Sequence, residues 1–209
     1  MKSLHGFRSF FYLDTLDYSN RDELVKSIET AYQQNPTHKP DSWEDNVHTS
    51  IVYDKCITPS QYFDKAHIPN DLVKLIDDKL QEFITKENLA SVGKFYIHEM
   101  WYNAYKNGQY QHMHKHSNGN NTVFSGVYYL KFDEKEHSST RFYHPGFEID
   151  FTKVKDNDFF MFTPKVKEND ILFFSSDIGH DVPEQFSSNL RITVAFNVIC
   201  EFHESIQYS

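Results

Sequence analysis

Apolar positions recur at helical spacing in the first 90 residues and alternate from Lys94 onward. Leu72, Ile76, Leu80 and Phe83 fall three or four apart, so a helix starting after Pro69-Asn70 turns one apolar face to a core. An earlier helix follows Ser19-Asn20 and ends before Pro36, with Asn20 and Glu23 at capping-box spacing. Thr37 to Asp45 is polar, contains Pro40 and reads as loop. The two-residue period then predicts strands over 95–103, 110–116, 122–132, 141–143, 147–151, 159–163, 170–175 and 190–200. Turn signals at Asn107-Gly108, Ser117 to Asn120, Pro145-Gly146 and Glu168 to Asp170 separate them. Eight short strands after a helical preface predict a mainly β chain with α (α+β). The expected architecture is a two-sheet jelly roll with the N-terminal helices packed on one sheet as scaffold. A doubly wound parallel sheet is disfavoured by the lack of helices between the strands.

Length and composition narrow this picture. The 209 residues suit a single domain over 1–209, with a helical or mixed support region at 1–92 and a β core at 93–203. Aromatics reach 16%, with 19 Phe and 13 Tyr, a bias that favours strands. The net charge of -9 argues against general nucleic-acid or anionic-membrane binding, both of which need basic patches. Cys56 and Cys200 are far apart and form no CxxC, so reduced thiols are expected. No stretch approaches the ~20 apolar residues of a membrane span. A soluble, intracellular protein is the expectation.

The chemistry concentrates in Gly108-Gln-Tyr-Gln-His112-Met-His114-Lys-His116. On an extended strand, residues two apart share a face and lie about 6.5–7 Å apart. Metal–imidazole bonds are about 2.0–2.1 Å, so neighbouring histidines can lean onto one ion, whereas the outer two, roughly 13 Å apart, cannot easily do so. His114 belongs to either possible pair. His116, at the strand end, is its favoured partner, with His112 as an alternative or supporting residue. A solvated polar strand face is the competing explanation of the triplet.

His180 follows Gly179 after the apolar strand at 171–174. In the strand that comes next, Arg191, Thr193, Ala195 and Asn197 share one face, and Ile192, Val194, Phe196 and Val198 the other, which suits a core against the helices. An arginine in so apolar a setting needs an anion. Its planar fork suits a carboxylate, and the Thr193 hydroxyl can add a bond. An internal salt bridge to one of the 30 acidic residues is the bland alternative.

Taken together, Trp101-Tyr-Asn103, Gly108 to His116, Ser125-Gly-Val-Tyr-Tyr-Leu130, His180-Asp-Val-Pro183 and Arg191 to Asn197 resemble the iron(II)- and 2-oxoglutarate-dependent oxygenases. The likeness is to a bacterial and phage-associated subgroup and spans about Trp101 to Asn197. The resemblance implies a double-stranded β-helix and Fe(II) held by His114, His116 and His180. It also implies Arg191 and Thr193 on the distal carboxylate of 2-oxoglutarate, with Tyr129 and Asn103 as further co-substrate contacts. By that analogy 2-oxoglutarate and dioxygen are consumed, succinate and CO2 are released, and a C–H bond of an unidentified substrate is oxidised, by default to an alcohol. A cytoplasmic location in a bacterial or phage-infected cell follows from the same likeness. One departure stands out: much of the superfamily carries a carboxylate where this chain has His116. Asp181 cannot replace it, because it faces away from His180 on a strand.

Two other classes fit part of the pattern. A cupin-type metalloenzyme that does not use 2-oxoglutarate matches Gly108 and His114-x-His116, but has Asn120 and Asn121 where a Glu belongs, and no need for Arg191. A non-catalytic jelly-roll binding module leaves the histidines incidental. One of Tyr128 and Tyr129 is expected in the core, His144 on a surface turn, Trp101 and Asn103 on one face as pocket wall or as structure, and 37–45 and 133–140 as a substrate lid or exposed loops.

Overall fold

The computed structural model describes residues 11–52, 58–116, 121–143 and 161–203. Its helices are α1 (Arg21–Gln34), α2 (Pro59–Lys65) and α3 (Asn70–Lys86). Its first strands are β1 (Phe11–Thr15), β2 (His48–Thr49), β3 (Gly93–Tyr105), β4 (Gln111–His114) and β5 (Thr122–Lys131). There follow β6 (Arg141–Tyr143), β7 (Met161–Phe162), β8 (Asp170–Ser175), β9 (His180–Val182) and β10 (Arg191–Phe202). A six-stranded sheet runs β1-β8-β5-β10-β3-β2 and faces a four-stranded sheet β4-β9-β6-β7, an antiparallel double-stranded β-helix.

The helices cover one face of the large sheet. On α3, Leu72, Ile76, Leu80 and Phe83 are all at most 1% exposed. Each such side chain contributes roughly 1.5–3 kcal/mol of burial. Phe83 stacks on Phe173 of β8 and meets Phe124 of β5 edge-on. Ile192, Val194, Phe196 and Val198 of β10 join that core, as their alternation predicts. Phe196 lies so close to β5 that a Cβ on Gly126 would stand 2.0 Å from its Cζ, so only glycine fits there.

The opposite face of β10 carries Arg191, Thr193, Ala195 and Asn197 into the space between the sheets. Their Cα partners on β3 are Tyr105, Asn103, Trp101 and Glu99. Beyond Asn197 the pairing jumps to Val198↔Ile97, leaving His98 as an extra residue. This bulge reverses the parity of β3, so Glu99 to Tyr105 present odd-numbered residues between the sheets while Ile97 and Phe95 pack among the helices.

Some local expectations are corrected. Asn20 precedes α1, but its side chain makes no cap bond; the amide donates instead to Asp71 Oδ2 on α3 (2.7 Å). The capping box belongs to α2, an unanticipated helix, between Thr58 and Gln61. β1 and β2 come from the segment expected to be support, and both join the large sheet. The expected strand at 147–151, and His144 and Cys56, lie outside the described residues. No described helix is long and apolar enough to cross a membrane.

Candidate active site

β4 and β9 are edge and neighbour in the small sheet, and their register sets His114 directly opposite His180. His116 lies just beyond β4, anchored by its backbone N–H to the Ser176 carbonyl (3.0 Å). The ring centroids are 4.3 Å apart for His114–His180, 5.0 Å for His116–His180 and 5.1 Å for His114–His116. One ligand nitrogen from each lies within 4.8 Å of the other two.

His112 does not join them. The pairing moves from Gln111↔Val182 to His114↔His180, three residues against two, so a bulge at 112–113 breaks the alternation that the strand spacing assumed. The His112 side chain is 57% exposed and turned to Asp45, whose Oδ1 accepts from both its backbone N–H (2.6 Å) and its ring (3.0 Å).

Hydrogen bonds decide the tautomers of the three clustered rings. His114 Nδ1 donates to the His112 carbonyl (2.8 Å), His180 Nδ1 to the Ile178 carbonyl (3.0 Å) and His116 Nδ1 to Asn197 Oδ1 (2.6 Å). Each Nδ1 therefore carries the proton and each Nε2 keeps a free lone pair. His116 Nε2 is buried without a hydrogen-bond partner among the described residues. Burial disfavours protonation of all three rings. It holds His114 below the usual range and, together with the neighbouring histidines, takes His116 down to about 4 and His180 well below 6.5. Three neutral, preoriented imidazole nitrogens suit a divalent transition metal, iron included.

Arg191, 0% exposed, stands at the start of β10. Its Nε donates to the Ser138 carbonyl (3.1 Å) and Nη2 to Thr140 Oγ1 (3.5 Å), while Nη1 is buried without a partner among the described residues. The rings of Tyr105, Tyr129 and Phe132 surround the guanidinium at 5.0, 5.8 and 5.9 Å. No described carboxylate pairs with it, so the internal salt bridge is not found among the described residues. Burial lowers its pKa, as expected of a charge taken out of water with no described carboxylate beside it.

The remaining expected residues divide. Thr193 is buried, two residues from Arg191 on the same face. Tyr129 lies beside Arg191 and its hydroxyl bonds Ser139 Oγ (3.2 Å), whereas Tyr128 packs on the helix side. Asn103, opposite Thr193, accepts from Trp101 Nε1 (3.3 Å) and donates to Thr49 Oγ1 (2.7 Å) and the Tyr102 carbonyl (3.2 Å). It thereby braces Trp101, which stacks on His116 at 5.8 Å and 16°. Asp181 turns away from the histidine cluster, as expected, to a bidentate pair with Arg141 and the Tyr143 hydroxyl (2.8 Å).

Two features escaped sequence reasoning. Tyr105 is fully buried against Arg191 and its hydroxyl donates to Gln111 Oε1 (3.0 Å). Carrying the alternation from Trp101 and Asn103 one step further would have found it. The 133–140 segment is neither a free lid nor an exposed loop throughout. Its Ser138 and Thr140 hold Arg191, and His137 and Thr140 are buried. No pattern of sequence reports a backbone carbonyl as a partner.

A two-sheet jelly roll that brings three histidines together and buries an arginine with no described carboxylate partner can hold both a metal ion and a carboxylate ligand. Residues 99–197, which carry the cluster and Arg191, match the family model described as "Putative 2OG-Fe(II) oxygenase". Over that stretch, just under half of the chain, it is similar to the Fe(II)/2-oxoglutarate-dependent oxygenases, oxidoreductases that take Fe(II) and 2-oxoglutarate. The match favours that reading over the cupin and non-catalytic ones. No curated protein sequence matches the chain.

Solved structures agree on the fold. A viral collagen prolyl hydroxylase from Paramecium Bursaria Chlorella virus-1 is 14% identical, with 91% of this chain and 96% of that one covered and a TM-score of 0.55. A Pseudomonas putida prolyl-4-hydroxylase is 11% identical, with 91% and 92% covered and a TM-score of 0.55. The carbocyclase SnoK from nogalamycin biosynthesis is 11% identical, with 95% and 84% covered and a TM-score of 0.60.

Proposed function

We propose that His114, His116 and His180 hold the Fe(II) through Nε2, that Arg191 and Thr193 bind the distal carboxylate of 2-oxoglutarate, and that the enzyme hydroxylates an unidentified substrate. One observation carries the reading. Three Nδ1 protons are committed to acceptors, so three free lone pairs converge between the same two sheets that bury a guanidinium whose Nη1 has no described partner. When bound, Fe(II) and 2-oxoglutarate together activate dioxygen for oxidation of a C–H bond.

The chain's own residues prepare that chemistry. The histidines offer three neutral ligands and leave other coordination positions to co-substrate and dioxygen. Arg191 supplies the charge and the unused Nη1 donor for a carboxylate, while Tyr105, Tyr129 and Phe132 keep water from it. Phe142 and Phe174 flank His180 at 5.7 and 4.9 Å and dry the opposite wall. Tyr129 belongs to the co-substrate wall, and Asn103 acts on the site through Trp101. A cytoplasmic setting in a bacterial or phage-infected cell accords with Cys200, a free buried thiol. The acidic charge of -9 fits a substrate other than bulk nucleic acid.

The test is anaerobic addition of Fe(II) and 2-oxoglutarate. A weak visible charge-transfer band is expected in the wild type and lost in Arg191→Ala. Absence of both the band and any 2-oxoglutarate-dependent thermal shift would overturn the proposal.

A further inference from the structure

We propose that Glu99 and Asn197 are positioning residues for His116, and that they place a carboxylate charge one side chain removed from the metal ligand. The inference rests on the reading of His116 as that ligand. His116 Nδ1 donates to Asn197 Oδ1 (2.6 Å), and Ser125 Oγ donates to the same oxygen (2.9 Å). On its other side Asn197 Nδ2 donates to Glu99 Oε2 (2.8 Å). The direction of this chain is forced from its far end. A carboxylate only accepts, so the Asn197 atom facing it must be the NH2, and the atom facing His116 must be the oxygen. An oxygen there requires the proton on Nδ1, which leaves Nε2 as the ligand atom.

The fold builds this relay deliberately. Asn197 on β10 lies between Glu99 on β3 and Ser125 on β5, its Cα partners on either side. The β3 bulge at His98 falls immediately beside Glu99 and turns it to the site face, where Trp101, next on that face, stacks on His116. Glu99 is half-buried and Asn197 is 6% exposed, so the bonds operate partly out of water.

His116 also differs from its two companions. His114 and His180 sit on paired strands, and each donates to the backbone carbonyl two residues earlier, a partner no substitution removes. His116 lies past the end of β4, and among the described residues its ring is oriented by side chains. Three neutral imidazoles leave the charge of a divalent ion unopposed by any of these protein ligands. A carboxylate reached through one polarisable amide offsets part of that charge without occupying a coordination position. The relay thus raises the basicity of one ligand and fixes its direction.

Metal affinity tests this apart from turnover. The full chain, stripped of metal, is titrated anaerobically with Co(II), following its visible ligand-field absorption. Glu99→Gln keeps an acceptor for the amide but removes the charge, and is expected to weaken Co(II) binding about 10-fold; Asn197→Leu breaks the relay and costs up to about 100-fold, with a shifted band. The double variant Glu99→Gln with Asn197→Asp restores a carboxylate directly on His116 Nδ1 and is expected to recover affinity to within a few fold, a rescue that a packing role would not produce. If Asn197→Leu fails to fold, Glu99→Gln and the double variant decide. Wild-type affinity and spectrum in Glu99→Gln, or no rescue in the double variant, overturns the proposal. If instead His180→Ala binds Co(II) like the wild type, the three-histidine reading fails independently of the relay.

Discussion

His114 and His180 are Cα partners across β4 and β9, with ring centroids 4.3 Å apart. Their approach is set by backbone pairing, and each ring is fixed by a backbone carbonyl. Replacing either by alanine is therefore expected to abolish stoichiometric Fe(II) or Co(II) binding, while His112→Ala, on an exposed residue tied to Asp45, leaves it within about 2-fold of wild type. Equilibrium dialysis of the three variants distinguishes these outcomes. Lost binding in His112→Ala together with retained binding in His114→Ala would contradict the assignment.

Arg191 carries its charge in full burial without a described carboxylate, which costs stability until an anion arrives. Arg191→Met is expected to melt at or above the wild-type temperature in the absence of ligand. The same variant should lose the 2-oxoglutarate-induced thermal shift and bind 2-oxoglutarate roughly 100-fold or more weakly. Scanning fluorimetry with and without 2-oxoglutarate reads both effects. A variant that still responds to 2-oxoglutarate would place the anion site elsewhere.

Gly126 lies under the Phe196 ring, where a methyl group would collide at 2.0 Å. Gly126→Ala must push Phe196 into the helix-side core and is expected to cost about 3 kcal/mol in urea unfolding. The double variant Gly126→Ala with Phe196→Leu should recover part of that loss. Additive costs in the pair would show that the collision is not the cause.

Burial lowers the pKa of His48 and His137 as well as of the three clustered histidines. In the unfolded chain these rings take up protons near pH 6.5, and in the fold only at lower pH. The unfolded state binds more protons in that window, so the contribution to stability is complete above about pH 6.5 and is lost as pH falls towards the folded values. The metal-free chain is expected to melt several degrees lower at pH 5.5 than at pH 7.5. A flat or opposite trend between those values would contradict the burial of neutral histidines.

Much of this protein was legible in its residues. The apolar stripe of α3, the period-two strands and the two faces of β10 follow from side-chain periodicity, because a regular element repeats its burial at a fixed interval. The same logic failed where the backbone is irregular. Equal spacing of His112, His114 and His116 implied one shared face, but a bulge turns His112 outwards. The Asn20 and Glu23 spacing implied a capping box, but Asp71 on a distant helix takes the asparagine. Short strands such as β2 and β9 are too brief to show any period.

The sequence by itself determined which side chains were available: the histidines able to ligate, the arginine in need of an anion, and the alternation that sends Arg191, Thr193 and Asn197 to one side. Only the tertiary structure decided which histidines meet, that Tyr105 and the 138–140 backbone enclose Arg191, and that Glu99 reaches His116 through Asn197. The physical reason is that these relations depend on register between strands far apart in the chain. One residue of slip or one bulge moves every side chain beyond it to the other face.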